Sequence, residues 1–82
     1  NLDIGSSGQK VRQMQEQLNL IGDFYNSIPP LVTDGIYGER TAEAVRQFQR
    51  IFDLPATGIV DFATWYKISD MYVRLSGIAE LM

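Results

Sequence analysis

A chain of 82 residues with no histidine and no cysteine has few ways of doing covalent chemistry. Ser-His-Asp and Cys-His nucleophiles cannot be assembled from it, nor can a zinc site with nitrogen or sulfur ligands. Ten carboxylates remain, and two of them at the right separation would suffice for glycoside hydrolysis. Most already have another use in the pattern. Asp61 stands where a helix cap belongs and Asp53 at a helix end, while Glu16, Glu43 and Asp70 fall on solvent faces. No catalytic residue, metal or cofactor is therefore expected, and recognition is the more economical reading. Four residues have the means for it. Asp34 either fixes a turn through its own backbone or accepts a hydrogen bond from a sugar or peptide amide. Tyr25, Tyr37 and Arg40 either offer a planar face and donors to a ligand, or cover the core edge and pair with Glu39 or Glu43 at the surface.

Seven basic against ten acidic residues give a net charge of −3, and the basic ones are dispersed. A surface that tracks phosphates is not indicated, so nucleic acid is an unexpected partner. No apolar run approaches the ~18 residues of a membrane span. The chain begins at Asn1 rather than Met, which reads as a processed or excised piece of something larger.

These side chains have to be positioned by three amphipathic helices. Ser6-Ser7-Gly8-Gln9 has the form of a capping box, and Val11, Met14, Leu18 and Ile21 follow at i, i+3, i+7 and i+10 before Gly22, a left-handed stop; a helix over about 7–21 is expected. A second, over about 39–52, has Val45, Phe48, Ile51 and Phe52 as its stripe and stops before Leu54-Pro55. The third, over about 62–75, is capped by Asp61, carries Trp65, Ile68, Tyr72 and Leu75, and ends near Gly77. The expected class is all-α: a single domain over 1–82, folded as a compact three-helix bundle. Gly22 to Gly38 is long for a helix connection, yet its Phe24, Tyr25, Ile28, Leu31 and Val32 favour an ordered loop.

Two internal echoes divide the chain into related halves. Val11–Leu20 and Val45–Leu54 share Val, Arg, Gln, Gln and Leu in register, at an offset of 34 residues. A tetratricopeptide solenoid has that period but needs three or more units and a signature missing here. Gly35-Ile36-Tyr37-Gly38-Glu39-Arg40-Thr41 and Gly58-Ile59-Val60-Asp61-Phe62-Ala63-Thr64 share Gly-Ile-x-cap-x-x-Thr, a turn leading into a helix. In this device the glycine makes the turn, the isoleucine fills the space beneath it, and the threonine bonds back to the cap. Each copy of the first echo also places a glutamine, Gln15 or Gln49, on the apolar stripe. A buried amide needs partners, either the backbone of a neighbouring loop or a ligand.

The ordered set Gly5-Ser6-Ser7-Gly8, Gln15, Leu18, Asp34-Gly35-Ile36-Tyr37-Gly38, Thr41, Ala44-Val45, Phe48-Gln49, Leu54-Pro55, Thr57-Gly58 and Thr64-Trp65 resembles the peptidoglycan-binding domains attached to bacterial cell-wall amidases, carboxypeptidases, lytic enzymes and spore-cortex hydrolases. The likeness spans about residues 5–75, and the departure from the pattern is a longer loop from Asp23 to Thr33. The resemblance implies a three-helix fold with two related halves and export from the cytoplasm to the extracellular space, cell wall or spore cortex. It also implies noncovalent binding of peptidoglycan, through glycan or stem peptide, on behalf of a covalently linked amidase or peptidase domain. A different class, a protein-interaction or autoinhibitory prodomain of a secreted hydrolase, is suggested by a likeness of fold to matrix metalloproteinase propeptides. Those block a catalytic zinc with a cysteine, which this chain does not have. Tyr25, Asp34, Tyr37 and Arg40, where the long loop meets a helix start, are the expected ligand contacts.

Overall fold

A computed structural model describes the backbone of residues 1–81 and the side chains of residues 1–77. The order is α1 (Gln9–Gly22), α2 (Glu39–Ile51) and α3 (Phe62–Leu81), with two isolated antiparallel bridges, Leu2 to Val60 and Ser7 to Ile36, in place of a sheet. The three-helix bundle expected from the stripes is thus observed. Val11, Met14, Leu18 and Ile21 are all fully buried on α1, and Val45 and Phe48 on α2. On α3, Ile68 and Leu75 enter the core, while Trp65 and Tyr72 are half-buried against it. α1 packs principally on α3.

The helix ends differ from expectation in three ways. α1 starts at Gln9 with Gly8 as N-cap and no side-chain cap bond. The capping box does not form because Ser6 Oγ is turned back to accept from the Asp3 N–H at 3.1 Å, while the Ser6 carbonyl accepts from Tyr37 N–H. Gly22 belongs to the helix, and the chain leaves through Asp23 in a right-handed conformation at φ −65°. What the site requires is closeness: a Cβ on Gly22 would lie 3.3 Å from the Ile28 carbonyl oxygen. Gly77 likewise does not stop α3, which continues to Leu81. One glycine inside a helix costs about 1 kcal/mol, and among the described residues no proline or left-handed residue follows to enforce an end.

α2 does end as expected, before Leu54-Pro55, and the geometry is that of a Schellman cap. Asp53 takes the left-handed position at φ 58°, Leu54 N–H donates to the Gln49 carbonyl at 2.8 Å, and Asp53 N–H reaches the Arg50 carbonyl at 3.4 Å.

The loop between α1 and α2 is held at several points. Asn19 grips Leu31 from both sides, its amide donating to the Leu31 carbonyl and its oxygen accepting from the Leu31 N–H, both at 2.8 Å. Ile28 and Leu31 are buried and Tyr25 packs edge-on against Phe52. Phe24 and Val32 do not take part and stay exposed.

Candidate functional site

The two glutamines build the same node twice. Gln15 Nε2 donates to the Ile36 carbonyl at 3.0 Å and to Thr41 Oγ1 at 3.1 Å, and its Oε1 accepts from the Gly35 N–H at 2.9 Å. Gln49 Nε2 donates to the Ile59 carbonyl at 3.0 Å and to Thr64 Oγ1 at 3.1 Å, and its Oε1 accepts from the Gly58 N–H at 3.0 Å. A third contact also recurs, at 3.4 Å to Asp34 Oδ1 in one half and 3.3 Å to Thr57 Oγ1 in the other. Both glutamines are at most 1% exposed, so the amides are spent inside the fold. Of the two roles open to them, holding the loop backbone is the one the geometry supports.

The Gly-Ile-x device is also corrected in detail. Gly35 and Gly58 take φ 74° and 76°, left-handed values that only glycine adopts freely, so the turn role stands. The isoleucine does not lie beneath it. Ile36 is 61% exposed and Ile59 only half-buried, whereas the following residue is buried in both copies, Tyr37 at 1% and Val60 at 2%. The isoleucine carbonyl is turned inward to the glutamine, and in extended backbone the next side chain then faces the core. An N-terminal strap joins the two turns, its Leu2 exchanging backbone bonds with Val60 and its Gly5 and Ser6 with Tyr37.

The four residues expected to meet a ligand do not form one site. Tyr37 is a core residue, and its hydroxyl donates to the Gly58 carbonyl. Burial, with the nearby Asp3 charge, pushes its ionisation far above the usual tyrosine range while Arg46 opposes this, so it remains a neutral donor. Tyr25 lies beside Phe52 at the C-terminal end of α2, ring centroids 5.5 Å apart at 71°. Arg40 lies at the N-terminal end of that helix, so 12 residues of rise put the two roughly 18 Å apart. Asp34 and Arg40 do share one end of the molecule and both are exposed. Asp34 acts partly within its turn, accepting from the Ile36 N–H at 3.0 Å. Among the described residues Arg40 makes no ion pair, because Glu43 is taken by Arg46 at 3.0 Å and Gln47 at 2.7 Å.

Among the described residues, grooves open at the start of α3 and at the end of α1. One, of about 420 Å³, is lined by Leu2, Lys10, Val60, Asp61, Phe62 and Trp65 along with Asn1. The other, of about 430 Å³, lies between the end of α1 and the Ile28-Pro29-Pro30 bend. Among the described residues no group of three or more acidic, histidine or cysteine side chains could hold a metal ion. No helix there is long and apolar enough to cross a membrane.

Residues 7–68 match the family model described as "Putative peptidoglycan binding domain". The chain belongs to the peptidoglycan-binding domain family. It is 39% identical over 67 residues to the zinc D-Ala-D-Ala carboxypeptidase of Streptomyces albus G, a match that takes in 82% of this chain and 25% of that enzyme. The chain therefore spans about a quarter of the relative's length. It is also similar to the crystal structure of the SleB N-terminal domain, with a TM-score of 0.73 and 30% identity over 87% of this chain and 90% of that one. The paired nodes act as scaffold: each glutamine fixes a turn and the start of the next helix.

Sequence reasoning passed over two features. Asn19 lies four residues after Gln15 and on the same helix face, and that spacing was the available signal for a second loop clamp. Phe62, which lines the groove at the start of α3, and its neighbour Tyr66 lie off the Trp65-Ile68-Tyr72-Leu75 stripe, and aromatics outside a helix's buried face were the available signal.

Proposed function

We propose that this peptidoglycan-binding domain works as a noncatalytic anchor outside the cytoplasm, holding a covalently linked wall hydrolase against the polymer. The observation that carries the reading is the family match over residues 7–68, most of the chain. The likeness to one portion of a wall carboxypeptidase supports a larger parent protein with a separate catalytic unit, an amidase or peptidase. An anchor of this kind does no chemistry; it raises the effective concentration of its partner domain near the substrate.

The carboxylates support the same reading. A glycosidase acid needs a pKa raised towards neutrality. Among the described residues, Asp61 and Glu43 are displaced the other way. Asp61 is held below its ordinary range chiefly by the Thr64 N–H, and Glu43 by hydrogen bonds from Gln47 and then Arg46. Of the four residues first expected at the ligand, Arg40 and Asp34 keep that proposed role, as a donor and an acceptor flanking one turn at the wall-facing edge, for glycan or stem peptide. Tyr25 is proposed only as a separate, peripheral contact, and Tyr37 as the support beneath the turn.

Dye-labelled, protein-free sacculi incubated with the domain should release no soluble dye. Arg40→Ala should bind them less well with an unchanged thermal midpoint. Dye release that survives repurification and disappears when a carboxylate is replaced would overturn the noncatalytic reading.

A further inference from the structure

We propose that the groove at the start of α3 is a sugar-stacking subsite for the N-acetylated amino-sugar backbone of the wall polymer, an inference that rests on the wall-binding reading above. The groove lies at the Leu2–Val60 end of the strap, whereas Asp34 and Arg40 lie towards its Ser7–Ile36 end. Its volume of about 420 Å³ falls within the ~300–1,000 Å³ usual for small-molecule sites.

The lining has the chemistry that recognises a pyranose. Such a ring has an apolar C–H face and a polar edge, so a site for it pairs an aromatic surface with a few hydrogen-bonding groups. Phe62, in the groove wall, is 82% exposed, and just outside the lining Tyr66, 67% exposed, extends the aromatic surface, its ring centroid 6.4 Å from that of Phe62 and the planes 26° from parallel. Neither belongs to the core cluster, so folding gains little from keeping them apolar. Trp65 is half-buried and backs onto the core from the groove wall, a rigid aromatic surface anchored from behind. The polarised C–H groups of a sugar face meet the electron-rich face of such rings favourably.

The polar edge is supplied by Lys10 and Asp61. Among the described residues Lys10 makes no ion pair, so its ammonium is available to an acetamido carbonyl. The Asp61 carboxylate, fixed by its bond from the Thr64 N–H at 2.9 Å, presents an acceptor for a sugar hydroxyl. Apolar wall and opposed donor and acceptor suit a neutral glycan better than an anionic one or a purely apolar partner chain.

The test uses the N-acetylglucosamine tetramer as probe, read by backbone amide shifts and by the fluorescence of Trp65, the chain's single tryptophan. Saturable shifts are expected at Lys10 and at residues 60–66, with a change in Trp65 emission. The double variant Phe62→Ala/Tyr66→Ala should weaken binding of the tetramer roughly 10-fold or more with the thermal midpoint unchanged, whereas Val32→Ala, a similarly exposed apolar residue outside the groove lining, should leave it near the parent value. Absence of shifts at those residues would overturn the subsite. So would shifts that follow protein concentration instead, which mark self-association, or shifts produced only by the D-Ala-D-Ala dipeptide. Sedimentation with sacculi, run in parallel, separates the two claims. A parent domain that stays in the supernatant overturns wall binding itself, whereas a parent and double variant that sediment equally overturn the groove alone.

Discussion

At the scale of single residues, the fold depends on polar side chains placed inside it. Each buried glutamine satisfies a turn N–H, a turn carbonyl and a helix-start hydroxyl, although in the second half the Ile59 carbonyl also accepts from the Asp61 N–H at 3.1 Å. Removing either amide leaves the buried Gly35 or Gly58 N–H without its partner, and Gln15→Ala or Gln49→Ala should each destabilise by about 1–3 kcal/mol, measured as a shift in urea midpoint at constant slope. Tyr37→Phe keeps the ring and strips the donor from the Gly58 carbonyl, so a loss of about 1–2 kcal/mol is expected in the same assay. Both glutamines could be singled out in the sequence because a polar residue interrupts an apolar stripe twice at one spacing. The burial of Tyr37 could not. Tyrosine in a turn is compatible with exposure and with cover, and the choice depends on a carbonyl that arrives from a turn 21 residues away.

At the scale of elements, periodicity showed which residues pack, and local chemistry showed less about where helices end. All four stripe residues of α1 are buried as their spacing required, because side chains at i, i+3 and i+7 share one face whatever the tertiary context. The caps depended on neighbours. Ser6 has the right identity for a capping box, but its hydroxyl is engaged by Asp3 within the strap, an interaction no local pattern announces. Asp61 does cap, its Oδ1 accepting from the Thr64 N–H at 2.9 Å, and that bond is the main cause of its lowered pKa. A carboxyl whose folded pKa lies below its unfolded value adds stability above about pH 4, and loses it as pH falls through the folded value. Asp61→Asn keeps an acceptor at the cap. The stability gap between parent and variant should therefore be widest near neutrality and close as pH drops below about 4, in urea titrations at several pH values. The two turn glycines make a further contrast. A Cβ on Gly35 would lie 3.0 Å from the Gly8 backbone oxygen, while on Gly58 it would meet the movable Arg46 guanidinium at 2.8 Å. Gly35→Ala and Gly58→Ala both incur left-handed strain, and Gly35→Ala should show the larger fall in thermal midpoint because a backbone atom cannot move aside.

At the scale of the whole molecule, the duplicated node organises one surface. The strap crosses between the two turns, so the exposed Asp34 and Arg40 and the groove lined by Lys10, Phe62 and Trp65 lie towards opposite ends of a single segment. The class of fold and the family were legible in the chain because stripes, turns and the ordered motif set are local or repeated. The site was legible only in part. Tyr25 and Arg40 occur on either side of one loop in sequence, but α2 holds them at its opposite ends, and a groove made from the strap and α3 joins residues nearly 60 positions apart. The claim on which the rest stands is that this surface holds the wall. Co-sedimentation of the purified domain with protein-free peptidoglycan sacculi tests it most directly. The domain should pellet with the polymer in a saturable manner, whereas a domain that stays in the supernatant while folded would contradict the account.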